Sequence, residues 1–446
     1  MKIKLLYFFF LISFFHLNAQ QFQYSAEVNS EGLFFSKETS PFWLHSNQRG
    51  RIDEKTNISG WLNASAKYYL SNTTYFELGA GGLYQDGFTD EFQLDESYVS
   101  FNTILFSVIA GRKQKPELYR GLSATNQNIL WSLNARPLPG LQVYTPEPVF
   151  LNGKDGVGFK ASLAEYLTDD ERYVDDTRIH HKSLHLVYKA SGKFQITAGL
   201  QHFVQWGGTS PDFGKLPAGF DDYLNIFTGK EGDDSVDGQE ANALGNHLGS
   251  YEIYLDTQLA GYKVQLLYNH LFEDGSGRVL RNTPDGRYGI YIEDIHQEKW
   301  VTALMYELYY TKNQSAASPT SDGRDNYFNN NLYRSGWTYE NRILGVPFIT
   351  LDEDRFRVAN NTVLVHHLGI SGKAWSNFPY KLLLSYRKNY GVKGGSAAAK
   401  NNILSTYLDV ELFRNVVDLN LLLGSDFISD DSPNFGVGVR LSRKLL

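Results

Sequence analysis

From Phe22 to the C-terminus the chain repeats one pattern, in which apolar and polar side chains alternate over runs of roughly ten residues. A period of two marks an extended strand with two unlike faces, and about ten residues is enough for a tilted strand to cross a bilayer. Leu62, Ala64, Ala66, Tyr68 and Leu70 fall on one face, with Asn63, Ser65 and Lys67 on the other. Phe76, Leu78 and Ala80 alternate with Glu77 and Gly79, and Phe194, Ile196, Ala198 and Leu200 alternate with Gln195, Thr197 and Gln201. The pattern returns in Tyr251, Ile253 and Leu255, in Val264, Leu266 and Tyr268, in Leu404, Leu408, Val410 and Leu412, and in Phe435, Val437, Val439 and Leu441.

Residues 1–19 read as an export signal. Lys2 and Lys4 precede an apolar stretch from Leu5 to Phe15, and Ala19 supplies the small residue expected before a cut that leaves Gln20 first. That stretch is too short to span a membrane, and no later run approaches the roughly eighteen apolar residues of a transmembrane helix. The chain has no cysteine, which excludes a disulfide framework, a thiol nucleophile and a cysteine metal site.

Composition separates a membrane barrel from a soluble β-protein. The 29 tyrosines, 29 phenylalanines and 7 tryptophans, with 40 glycines and a mean hydropathy of −0.35, suit aromatic girdles around a polar lumen. A net charge of −7, more negative still once Lys2 and Lys4 leave, argues against a nucleic-acid partner. Gly, Asn and Ser make tight turns at Ser71-Asn72, Ala190-Ser191-Gly192 and Ala260-Gly261, while long polar segments fall around 113–126, 145–155, 203–248, 270–298 and 311–360. Short turns on one rim and long loops on the other are expected of outer-membrane barrels. No blade or sandwich period is present. The expected fold is an all-β, transmembrane antiparallel barrel of about 18 strands with long extracellular loops, residues 20–446 forming one domain in the outer membrane and in contact with its lipid.

Chemistry is expected in the loops. Gln205 to Pro217 is too rich in Gly and Pro for a regular element, and it leads into Phe220–Phe227, a short helix with Phe220, Leu224 and Phe227 on one face. Trp206, Asn246 and His247 would converge where a strand leaves the membrane, although Trp206 also reads as an interface-belt residue. The acidic run 231–237 does not have the spacing of an EF-hand loop. A second loop, Asn326 to Pro347, interleaves rings with Asn and Arg, including Arg334, Trp337, Tyr339 and Arg342. Ring faces pack against sugar C–H groups while amides and guanidinium forks meet hydroxyl and acidic groups; the same rings could equally pack a plug. No HExxH, GxSxG or glycine-rich phosphate loop occurs, and the pairs His180/His181 and His366/His367 would face opposite ways on a strand. Neither catalysis nor a cofactor is expected.

Four stretches carry a family resemblance: GLSATNQNILWSLNARPLP (121–139), QWGGTSPDFGKLP (205–217), NALGNHLGSY (242–251) and YFNNNLYRSGWTYENRILGVP (327–347). In this order they resemble the Bacteroidetes-type Wzi family of capsule assembly proteins. The resemblance implies a barrel of about eighteen strands that binds exported capsular or extracellular polysaccharide at the cell surface and helps attach it there, lectin-like and without catalysis. Polysaccharide export machinery stays open as a partner. The strand pattern begins almost at Phe22 and leaves no room for the N-terminal helical bundle of enterobacterial members. The other reading of the residues is a porin-like channel for oligosaccharides or peptides, on the strength of a polar lumen.

Overall fold

The structure, a computed structural model, describes residues 21–89, 91–230, 243–273, 275–297, 300–316, 325–352, 357–375, 377–392, 400–429 and 431–446. The expected signal, 1–19, and the acidic run 231–237 lie outside the described residues.

The strands are β1 Phe22–Phe35, β2 Ile58–Ser71, β3 Thr74–Gln85, β4 Phe92–Asn102, β5 Ser107–Arg112 and β6 Gly140–Tyr144. They continue as β7 Gly156–Leu167, β8 Arg178–Ser191, β9 Phe194–Trp206, β10 Asn246–Leu259, β11 Tyr262–Phe272 and β12 Gly286–Asp294. The last six are β13 Ala303–Tyr310, β14 Val363–Ala374, β15 Phe378–Asn389, β16 Asn402–Phe413, β17 Asp418–Ile428 and β18 Asn434–Lys444. Val149–Phe150 pairs with β7 beside β6 and belongs to the same staff of the wall. Each strand pairs antiparallel with its neighbour in sequence, and β1 closes on β18 with Gly32 opposite Val439. Closure leaves no edge strand with unpaired amides, which a bilayer would penalise.

Burial along the wall is inverted relative to a soluble protein. Leu78, Leu186 and Phe92 are 63%, 60% and 80% exposed, while Glu77, Ser100, Arg287, Glu307, Ser385 and Ser405 on the opposite face are buried. An outer belt of that kind is stable only against hydrocarbon. Aromatic pairs mark its ends, Phe22 with Tyr68 and Phe76 with Phe101 toward the termini, Tyr84 with Phe92 and Phe427 with Phe435 at the other rim.

Both termini meet one rim, where the connections 72–73, 103–106, 192–193, 260–261, 375–377 and 414–417 are short. The long connections 36–57, 113–139, 207–245 and 311–362 begin and end at the other rim. Two expected loops change place. Segment 145–155 belongs to the short-turn rim, and 270–298 contains β12, whose alternation is masked by Gly286, Gly289 and the tyrosines around them.

A plug fills the loop side of the lumen. Segments 36–57, 113–139 and 325–351 fold inward and pack into one core that includes Trp43, Leu130, Trp131, Phe328, Trp337, Leu344 and Phe348. Helix α1, Phe42–His45, wedges Trp43 into that core, and its indole N–H donates to Ser385 Oγ at 3.1 Å. The segments clasp each other through backbone bonds, Ser132 N to Leu344 O at 2.7 Å and Val346 N to Ile129 O at 3.0 Å. Each fully buried ring or aliphatic side chain of the Phe348 kind contributes about 1.5–3 kcal/mol over exposure, so the plug is cohesive in its own right.

Candidate functional site

The plug is bolted to the wall by charge. Arg287 donates from Nε to Glu307 Oε1 at 2.7 Å and from Nη1 to Asn269 Oδ1 at 3.0 Å, and Glu307 accepts Ser123 Oγ and the Ala124 amide at 2.8 Å each. His367 donates from Nε2 to the Leu122 carbonyl at 2.8 Å. These groups present fixed partners to loop 113–139.

Toward the loop rim the 338–343 hairpin carries a second network. Arg112 reaches Tyr339 OH at 2.8 Å and Asp169 Oδ2 at 2.6 Å, and Tyr339 donates to Asp169 Oδ1 at 2.5 Å. Arg136 holds the Glu340 carboxylate through two hydrogen bonds, and Arg342 pairs with Asp53 at 3.0 Å. Burial pulls the Arg136 guanidinium down to about 10, still charged at neutral pH. Trp337 donates its indole N–H to the Leu130 carbonyl at 2.6 Å. Gly336, at φ +69°, leaves no room for a Cβ against the Phe328 carbonyl, and its own carbonyl accepts Gln205 Nε2 at 2.9 Å.

Above this buried layer lies a small open cluster. The guanidinium of Arg334 sits 4.5 Å over the Tyr173 ring and pairs with Asp212 Oδ2 at 2.9 Å; Tyr173 OH donates to the same oxygen at 2.7 Å. That hydrogen bond lifts the Tyr173 phenol above its ordinary value. Ser335 Oγ accepts the Tyr173 amide at 2.8 Å, fixing the two loops to each other. Arg334 and Asp212 keep a third or more of their side chains exposed, as does Asp169 nearby along the chain.

The expected convergence of Trp206, Asn246 and His247 does not occur. Asn246 points into the lumen, donating to Gln205 Oε1 at 2.8 Å and accepting from Asn330 at 3.1 Å. Trp206 and His247 lie on the outer face, where Trp206 is buried among Val204, Ile226 and Leu244, and His247 meets His202 at 2.9 Å. Trp337, Tyr339 and Arg342 are buried in the plug, so a ligand at the rim does not reach their rings or guanidinium. Arg334 alone of the expected set stands in the open cluster. Sequence reasoning passed over Tyr173 and Asp212 of the open cluster, Arg112, Arg136 and the whole 36–57 segment. The last had a signal, the ring pair Phe42-Trp43 in a connection that alternates with nothing.

On the termini side, the plug roofs a polar cavity of about 560 Å³, lined among others by Arg49, Arg51, Glu117, Lys381, Glu411 and Arg440. Among the described residues no group of three His, Cys, Asp or Glu could hold a metal ion.

A closed antiparallel barrel with an apolar outer belt, a polar inner wall and loops folded in as a plug defines an outer-membrane β-barrel. The chain belongs to the capsule assembly protein Wzi family, whose model matches residues 21–354. Among solved structures it is similar to Wzi of Escherichia coli, described as an outer membrane protein involved in group 1 capsule assembly and a carbohydrate-binding β-barrel. The identity is 13%, the TM-score 0.61, and the match covers 95% of this chain and 85% of that one. It is also similar to OccK3 (OpdO) of Pseudomonas aeruginosa, at 11% identity and a TM-score of 0.49, covering 95% of this chain and 96% of that one. No curated protein matches the chain.

Proposed function

We propose that the protein is a lectin-like component of the cell surface, which binds exported polysaccharide at its loop rim and so takes part in capsule or exopolysaccharide assembly and attachment. One observation carries this reading: the loops that could line a pore instead build a packed floor, on which Arg334 and Asp212 stand partly exposed around the half-buried Tyr173, the three mutually fixed. A ring face, a guanidinium fork and carboxylates offer what a sugar polymer presents partners for, apolar C–H patches, hydroxyls and acidic groups. Fixing them beforehand lowers the ordering cost of binding. Family membership supports the same role. Trp337, Tyr339 and Arg342 serve this site from beneath by holding the 325–347 loop. Binding proceeds without catalysis or a cofactor, after removal of residues 1–19.

The channel reading is disfavoured by the plug that segments 36–57, 113–139 and 325–351 pack into the lumen. The test is retention of native polymer. Cells lacking the gene should shed polysaccharide into the medium; complementation with the wild type should restore it to the surface, and complementation with the Tyr173→Ala, Arg334→Ala variant at equal outer-membrane abundance should not.

A further inference from the structure

While Asp212 and Leu216 of the 207–245 connection stay with the loops above the plug, its 218–230 part runs over the outside of the barrel. On β8 the residues Leu184, Leu186 and Tyr188 are all more than half exposed, so His180 and Lys182, of the same parity, share their outward face. The register places His202, Val204 and Trp206 of β9 and His247 of β10 on that face as well. Yet His180, Val204 and Trp206 are buried. Their cover is helix α2, Phe220–Thr228, whose Tyr223 and Phe227 rings lie 5.5 and 5.3 Å from His180 and whose Ile226 packs on Val204 and Trp206.

Helix α2 has three sides. Tyr223 and Ile226 meet the wall, Asp221 and Thr228 are polar and exposed, and Phe220, Leu224 and Phe227 form an exposed apolar stripe at positions that coincide within a helical turn. The stripe faces the membrane side, because Phe227 spans His180 and Lys182. The Lys182 ammonium lies 4.1 Å from its ring and donates to its carbonyl, and the next outward residue down the strand is Leu184. β8 has 14 residues, more than the about 9–11 a tilted strand needs to cross, which puts its upper end at headgroup level.

The neighbouring connection does the same. Gly277 O accepts from outward-facing His270 at 3.1 Å, and Arg278 O accepts from Tyr251 OH at 3.1 Å. This holds Arg278, Val279, Leu280 and Arg281 exposed beside the wall, and neither arginine has a carboxylate within ion-pair distance among the described residues.

We propose that α2 and segment 278–281 form a docking surface for the outer leaflet of the membrane, with Phe220, Leu224, Phe227, Val279 and Leu280 among acyl chains and Arg278 and Arg281 on anionic phosphate headgroups. The occupant follows from continuity, since the stripe extends the lipid-facing belt at the depth where amphipathic helices lie in the interface. Absence of cysteine makes the test direct. Spin labels are placed singly at Leu224→Cys and Asp221→Cys, with Phe220→Cys and Thr228→Cys as a second pair, in protein reconstituted into phosphatidylcholine vesicles containing phosphatidylglycerol. Heat-modifiable migration establishes that each variant folds. The ratio of oxygen to nickel-complex collisions should be several-fold higher at Leu224 and Phe220 than at Asp221 and Thr228. Equal ratios, or exclusion of both reagents at Leu224 as under a second protein, overturn the proposal. A label at Leu280→Cys should lose part of its oxygen preference when Arg278→Gln and Arg281→Gln are added in the anionic vesicles, and keep it in pure phosphatidylcholine; the same value with and without the arginines in anionic vesicles removes the headgroup contact.

Discussion

Arg287 and Glu307 form an ion pair inside the barrel, 2.7 Å between Nη2 and Oε1, with neither side chain exposed at all. Its desolvation cost is offset by the surrounding acceptors and donors, Ser123, Ala124, Gln127 and Asn269, so the pair serves as a fixed post for loop 113–139.

Removing one partner strands the other charge. Glu307→Gln should lower the stability of the folded barrel by about 3–5 kcal/mol, seen as a drop in the temperature at which the compact gel band converts to the extended one. Arg287→Met combined with Glu307→Leu should recover a large part of that loss. A single variant as stable as wild type would mean the plug does not depend on this post.

Plug and wall also predict electrical behaviour. In planar bilayers the wild type should give no stable large-conductance openings, whereas deletion of residues 326–346 should, because Trp337, Leu344 and Phe328 leave the core together. Large openings from the intact protein would restore the channel reading.

A carboxyl at the loop rim gives a pH signature. Burial pushes Asp285 up to about 6, although it accepts the Asn313 amide at 2.8 Å, the Gln314 amide at 2.6 Å and the Tyr327 hydroxyl at 2.7 Å. A carboxyl whose folded pKa lies above its unfolded one favours the folded state in its protonated form, so that contribution is present below the ordinary carboxylate range and is lost as pH rises through about 6. The melting temperature of the wild type should therefore fall relative to Asp285→Asn between about pH 4 and pH 7. Parallel curves for the two proteins would remove Asp285 as the cause.

Much of the barrel was legible because lipid and lumen select opposite residue types: Leu62 beside Asn63, and Phe76 beside Glu77, declare their faces locally. Parity also held information that the rim residues obscured. Leu200 and Trp206 share a face, as do Tyr251 and His247, so Trp206 and His247 belong outside and Asn246, opposite Gln205, inside. Loop composition suggested a common site, and strand geometry overrides it. The helix Phe220–Phe227 formed where the sequence placed it, but its apolar stripe is the exposed side and another side docks. The plug was legible only as aromatic, loop-rich sequence. Ser132 meets Gly345 across more than two hundred residues, and nothing local in either segment specifies that partner.

Burial changes what the two tryptophans report. Trp206→Ala and Trp337→Ala should each reduce folded yield or melting temperature, by about 3–5 kcal/mol for the fully buried Trp337, and leave the affinity of the surviving folded protein for oligosaccharide unchanged. Normal stability with lost affinity would place a ligand against these rings.

The central claim is tested most directly by calorimetric titration of purified, detergent-solubilised protein with short fragments of the native polysaccharide, short enough that avidity cannot mask a lost contact. Saturable binding by the wild type, weakened roughly tenfold or more in the Tyr173→Ala, Arg334→Ala variant at unchanged melting temperature, is the predicted result, at about 1 kcal/mol per ring contact. Equal affinity in the two proteins, or no binding by either, would contradict it.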